Sequence, residues 1–149
     1  MEDLFDQPRP QGLNMASSSY VHQFLQLTSA ERTYIFMYPE HASAIKSSKE
    51  SAYLETRRRF GRNGQNDRSD AFRHCFWSAL LVREIGYAAA LRFTNAHESS
   101  PTNDPTERAM DLHNNSVGLK IGRSKGSDQI LSARCMAALN ARQLKVLEE

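Results

Sequence analysis

Between residues 63 and 122 the polar and ionisable side chains recur at three- and four-residue intervals. This spacing limits what the chain can fold into, because it builds coherent faces only on α-helices. Asp70, His74 and Trp77 stand at i, i+4 and i+7, which sets a carboxylate, an imidazole and an indole along one side of a helix. Asp111, Asn114, Asn115 and Gly118 repeat the rule at i, i+3, i+4 and i+7. No stretch sustains the period-2 alternation of a half-buried strand, and the pattern predicts a single all-α domain of about six helices.

Composition narrows the class. At 149 residues, 40% of them hydrophobic, the chain suits one globular domain that buries a core without metal or disulfide staples. No run reaches the ~18 consecutive apolar residues of a membrane-spanning helix. No charged, apolar and small-residue series at the start reads as a signal peptide, so export would need another carrier. Residues 1–19, rich in Pro, Gln and Ser, read as a loosely ordered lead without a motif, and residues 20–149 as the helical domain. Cys75 and Cys135 fall on apolar-patterned helical segments and read as small buried hydrophobes. They give no zinc spacing, and pairing between packed helices stays open. A net charge of +2 is too mild to imply nucleic acid on its own. Arg57, Arg58, Arg59, Arg62 and Arg68 nevertheless cluster ahead of the Asp70 helix, either as a solvated helix end or as an anion-binding patch.

In chain order, Val21, Phe24, Leu25 and Leu27 suggest a short first helix. Thr28 and Glu31 then form a capping box for a second, which ends before Pro39. Residues 40–60 suggest a helix whose buried face the pattern leaves undefined. Residues 61–70 carry turn chemistry, with Asp67 or Ser69 available as N-cap. Phe72, Phe76, Ala79 and Leu80 make the apolar stripe of the helix that follows, and Gly86 is placed to stop it in a left-handed conformation. Another helix leads to His97 and Glu98. Asn103 or Asp104 caps the next, with Pro105 in its first turn, and this helix runs to about Gly122. Ile130, Leu131, Cys135, Ala138, Leu139, Arg142 and Val146 outline the last.

Several of these residues carry chemistry. A carboxylate that accepts from one imidazole nitrogen fixes the tautomer and frees the other nitrogen as a base or metal ligand, so Asp70 with His74 reads as such a pair or as a satisfied core histidine. His97 and Glu98 are neighbours at a helix end, where both can face one cavity; Glu98 is the first choice for a general acid or base and His97 for a ligand or second base. Trp77 walls the site and lowers its dielectric. Asp111, Asn114 and Asn115 lie on a helix flanked by Met110, Val117 and Ile121, so they need buried partners or a substrate. His113 points away from them. Asp70, His74, His97, Glu98 and Asp111 together offer mixed N/O ligands suited to zinc, manganese or iron, with His74, His97 and Asp111 as the expected ligand set.

The order of His74, His97-Glu98 and Asp111 is similar to the HD-type phosphohydrolases, all-helical enzymes that hold metals with histidines and aspartates. Glu98 stands where that family has Asp, and Asp111 comes much sooner than its last aspartate, so this is an analogy. The D-A-F-R-H-C-F-W, A-H-E and M-D-L-H-N-N-S-V-G segments, with Leu27 to Glu31 upstream and Ile121-Gly122 downstream, resemble more closely a family of bacterial domains of unknown function. Its members occur at the C-termini of large wall-associated and polymorphic-toxin-type proteins and as small stand-alone proteins. The resemblance implies a secreted or injected effector domain, made in a bacterial cytoplasm and delivered outside it or into a target cell. A cognate immunity protein or a secretion carrier would be its partner. It marks Asp70, Arg73, His74, Trp77, His97, Glu98, Asp111, Asn114 and Asn115 as motif positions and supplies no reaction.

The expectation is therefore a hydrolase, metal-assisted or not. Glu98 or His74 would activate water, with Asp70 orienting His74 and His97 as ligand or second base. Arg73, Trp77, Asp111, Asn114 and Asn115 would contact substrate, and Arg73 with the upstream arginines would hold an anion, either phosphodiester, nucleic acid included, or phospholipid headgroup. Two alternatives stand beside it: a peptidoglycan hydrolase with paired carboxylates, and a non-enzymatic binding module whose motif is a buried polar network.

Overall fold

Six α-helices and one 3-10 turn make up the regular structure of the computed structural model, which describes Gln23 and residues 26–149. They are α1 (Ser29–Met37), the 3-10 turn Pro39–His41, α2 (Ala42–Phe60), α3 (Arg68–Ile85), α4 (Tyr87–His97), α5 (Pro105–Arg123) and α6 (Asp128–Asn140). Among the described residues there is no strand and no helix long and apolar enough to cross a membrane. Val21, Phe24 and Leu25, on which the expected first helix rests, lie outside the described residues, as does the lead over residues 1–19.

The domain is arranged around α3, which packs against α2, α4, α5 and α6 and is buried on nearly every side. Its Phe72, Phe76, Leu80 and Leu81 meet Phe93 of α4, Met110 and Leu119 of α5, and Leu131 and Leu139 of α6 in one core. The closest approach is to α5. A Cβ at Gly118 would collide with the backbone carbonyl of Cys75, and one at Gly122 would come within 2.6 Å of the carbonyl oxygen of Ala79. These two glycines let the α5 backbone lie against that of α3, which brings the N-terminal halves of both helices, where the polar residues sit, to the same end.

The helix starts follow local chemistry. Thr28 Oγ1 accepts from the Glu31 amide at 3.0 Å while Glu31 Oε1 accepts from the Thr28 amide at 2.8 Å. Asp67 caps α3 through the Asp70 amide, and Asp104 caps α5 with Pro105 behind it. Burial works to raise the Asp67 carboxyl, but hydrogen bonds from Arg62, Ser69 and the Asp70 amide hold it down at about 2. On α2 the buried face is Ile45, Ser48, Ala52 and Thr56; half of it is polar, with Thr56 Oγ1 donating to the Ala52 carbonyl, which is why hydrophobic spacing leaves this face undefined.

Two expectations are corrected. Gly86 ends the helix with a positive φ of +89°, as expected, but its ψ of 160° lies outside the left-handed helical conformation. Its amide donates to Val82 and its carbonyl accepts from Ala90, so one residue ends α3 and begins α4, and the corner between them is sharp. α6 stops at Asn140, short of Arg142 and Val146, because Arg142 takes φ +61° and turns the chain back. The returning tail is held by Asn114, whose side chain accepts from the Lys145 amide at 2.8 Å and donates to the Lys145 carbonyl at 2.9 Å. Asn66 accepts from the Leu147 and Glu148 amides.

Gly118→Ala forces α3 and α5 apart against backbone that cannot yield. The expected cost is ~3 kcal/mol, at the upper end of overpacking effects. Urea unfolding of the variant measures it, and an unchanged midpoint would mean that the helices do not lie this close.

Candidate functional site

α1, α3, α4 and α5 each deliver polar side chains to one cavity of ≈ 630 Å³. The first turns of α3 supply Asp70, Arg73 and His74; the end of α4 supplies His97 and its C-cap Glu98; α5 supplies Asp111, Glu107 and Arg108; and α1 supplies Glu31. The structure thus brings Asp70, His74, His97, Glu98 and Asp111 together. Five carboxylates line the space against two guanidinium groups, those of Arg73 and Arg108.

Each histidine is held by a buried carboxylate. His74 Nδ1 lies 3.1 Å from Asp70 Oδ1 and 3.6 Å from Asp111 Oδ1, while its Nε2 faces Glu98 Oε2 at 3.8 Å. His97 Nδ1 is 2.8 Å from Glu31 Oε2, leaving Nε2 as the nitrogen available to a ligand. The two imidazoles are 6.4 Å apart, and the Trp77 ring stands edge-on to both, 5.0 Å from His97 and 6.5 Å from His74. Glu98 is itself positioned from behind. Asn115 Nδ2 donates to its Oε2 at 3.0 Å, Ser78 donates to Asn115 Oδ1, and Arg108 Nε donates to the Glu98 carbonyl at 2.8 Å.

The electrostatics follow from packing so many acids around one imidazole. Burial opposes a charge on His74, yet the Asp70 hydrogen bond and the charges of Asp111, Asp70 and Glu98 outweigh it and lift the ring to about 9. Burial likewise works against the Asp70 and Glu31 carboxylates, and their contacts with His74 and His97 respectively hold both below the ordinary range. Asp111 goes the other way. Burial, reinforced by the charges of Glu98 and Asp70, outweighs the attraction of His74 and pushes it up to about 6, and its buried Oδ1 lacks a hydrogen bond.

Several expected contacts fall elsewhere. Asn114 does not reach the cavity, because both ends of its amide are used on Lys145. Asn115 sits one layer behind, as the support of Glu98. Trp77, 8% exposed, is a wall behind the histidines. Arg73 lines the cavity, but its guanidinium is engaged by Asp70, the Gly64 carbonyl, Asn63 and the face of Tyr53. The upstream arginines stand away from this cavity. Arg58 and Arg59 pair with Glu55, Arg62 pairs with Asp67 and Arg68 donates to Asn140, and none of the five lines the cavity.

Glu31 is the residue that sequence reasoning misses. Its spacing from Thr28 identifies a helix cap, and one oxygen does that work, but nothing in the sequence connects its other oxygen to a histidine 66 positions away. Arg108 and Glu107 likewise carry no motif that marks them.

Two groups of donors are close enough to hold an ion, with ligand atoms within 4.8 Å of one another: His74, His97 and Glu98, and Asp70, His74 and Asp111. The first fits better. Asp70 and Asp111 both approach Nδ1 of His74, the nitrogen a carboxylate holds in a histidine ligand, whereas Glu98 approaches Nε2. Of the expected set of His74, His97 and Asp111, Asp111 lies on the Nδ1 side of His74, and Glu98 is the carboxylate on the Nε2 side. Two histidines and a glutamate, with carboxylates behind the histidines, are a donor set suited to catalytic zinc.

Fold and site define an all-α domain with a histidine–carboxylate centre where α1, α3, α4 and α5 meet. The chain belongs to the family described as domain of unknown function DUF6973, which matches residues 32–143. No curated protein and no solved structure matches it.

With His74 raised to about 9 in the folded, metal-free protein and near 6.5 unfolded, its charge contributes stability that is fully present below pH 6.5. That contribution is lost as pH rises through 9. Chemical unfolding of chelated protein at pH 6 and pH 9.5 should show the decline, and His74→Gln should flatten it.

Proposed function

We propose that this domain is a metal-assisted hydrolase of the bacterial effector type, with His74, His97 and Glu98 as metal ligands. The observation that carries the reading is the pairing of both histidines, through Nδ1, with buried carboxylates that cost burial energy unless they orient something. An acidic cavity makes the same point, since five carboxylates outnumber the two guanidinium groups beside them and a divalent cation would reduce their repulsion. A divalent ion, zinc or manganese, would supply Lewis-acid activation of water and of the scissile group. Asp70 and Glu31 hold the two rings in one tautomer and orientation. Asp111, a carboxyl raised to about 6 at the cavity wall, takes the proton from attacking water and returns it to the leaving group. Asn115 and Ser78 keep Glu98 in place.

With the upstream arginines outside the cavity, Arg108 is the residue that would hold an anionic substrate, phosphodiester or phospholipid, and a bound ion would add its positive charge. The excess of carboxylates favours a second reading, in which an uncharged segment of peptidoglycan is cut. The effector assignment rests on the resemblance of the three motifs to domains at the C-termini of wall-associated and toxin-type proteins, and an immunity protein or secretion carrier is the partner it entails.

Zinc or manganese titrated into metal-free protein should bind at one equivalent, more tightly as pH rises toward 9 because the His74 proton must leave. His74→Ala and His97→Ala should abolish stoichiometric binding, and Glu31→Gln should weaken it by ~10–100-fold. Metal that survives both histidine substitutions would remove these residues as ligands.

Expression in bacteria should harm the cell, and Asp111→Asn, which removes the proton-transfer group, should relieve it by removing ~10²–10⁴-fold of activity while thermal melts show a folded protein. Directing the domain to the periplasm or the cytoplasm separates the substrates: harm confined to the periplasm indicates wall or lipid, and harm in the cytoplasm indicates nucleic acid or nucleotide. Soluble, folded protein that harms neither compartment would leave the binding module in front.

A further inference from the structure

Cys75 of α3 and Cys135 of α6 meet in the core with their sulfurs 3.1 Å apart. Both residues are 0% exposed, and no chemistry proposed for the cavity uses either. Two thiols packed this closely are pressed together; the separation is about 1 Å longer than the ~2.05 Å of a disulfide. Their surroundings leave little room to part. Gly118 lies directly against the Cys75 backbone, and Leu131, Ala138 and Leu139 fill the same side of α6.

We infer that Cys75 and Cys135 form a disulfide when the chain folds under oxidising conditions, stapling α6 to the helix that carries Asp70 and His74. The reaction balances with a small-molecule disulfide as oxidant. One thiol loses its proton, its thiolate attacks oxidised glutathione and expels one glutathione; the second then attacks the mixed disulfide and expels another. Two thiol protons are lost, the protein sulfurs are oxidised together by two electrons, and glutathione is reduced. Because both sulfurs are sealed from solvent, no oxidant reaches them in the native fold, so the bond forms during folding or during opening of the core and, once closed, resists reductants that need contact with sulfur. The bond would close a loop spanning 60 positions that contains α4 and α5, a length at which restriction of the unfolded chain is a large effect. A reducing cytoplasm and an oxidising exterior would then hold the same fold at two stabilities.

The full chain, refolded from denaturant in a glutathione redox buffer, should lose the mass of two hydrogen atoms and take up no iodoacetamide in denaturant without reductant. Proteolysis should release Cys75 and Cys135 as one linked peptide. Its Tm should exceed that of protein refolded with reductant by roughly 5–10 °C, a comparison made on wild type and so independent of whether Cys75→Ala or Cys135→Ala folds. Native reduced protein given oxidised glutathione should remain reduced for far longer than the refolding chain. Two alkylatable thiols after oxidative refolding, glutathione adducts or intermolecular dimers in place of the internal bond, or an internal bond that leaves Tm unchanged or lowers it would each overturn the inference.

Discussion

The contact between the backbones of α3 and α5 is the constraint on which the rest depends. Two α-helices approach this closely only where side chains are absent, and Gly118 and Gly122 provide the gap one turn apart. With the helices in that register, Asp70 and His74 on α3 face Asp111 on α5, and Asn115 reaches under Glu98 at the end of α4. A larger residue at either glycine would separate the carboxylates from the imidazole they surround. The core of phenylalanines and leucines supplies the driving force for collapse, but it is indifferent to the alignment of polar groups, which the glycines decide.

Given that alignment, the site is a problem of like charges. Acids gathered in partly buried space repel one another unless cations join them, and in the metal-free protein the imidazolium of His74 is the group that compensates Asp70, Glu98 and Asp111. His97 meets Glu31 through Nδ1 at 2.8 Å. A proton on His74 answers this electrostatic demand, and a divalent ion held by the same residues would compete with it. Asp111 is compensated least and shows it in its raised pKa and its buried Oδ1 without a hydrogen bond. Several polar residues outside this group brace the fold. Asn114 ties down the C-terminal tail, Asn66 holds the tail from the loop before α3, and the arginines from Arg58 to Arg68 knit that loop and α2 to the core.

What the sequence determined by itself is what depends on near neighbours. The caps at Thr28, Asp67 and Asp104 are legible because a cap is satisfied within three residues, and the apolar stripe of α3 is legible because helical periodicity is local. The same reasoning grouped Asp70 with His74 and flagged His97 and Glu98 as a pair at a helix end. It left the buried face of α2 undefined, since Ser48 and Thr56 are buried among small residues, and it carried α6 past the point where Arg142 turns the chain.

Tertiary structure alone decided which polar residues meet. Glu31 reads as a cap, and only the packing of α1 against α4 gives its second oxygen to His97. Asn114 and Asn115 are adjacent on one helical stripe, yet one is spent on the backbone of Lys145 and the other on the side chain of Glu98. Within the arginine cluster, Arg58 and Arg59 meet Glu55 and Arg62 meets Asp67, away from the cavity. The physical reason is common to all three. A residue's type and its local spacing set what it can bond to, while burial and the competition of distant partners settle what it does bond to, as where Ser132 reaches Glu55 from 77 positions away.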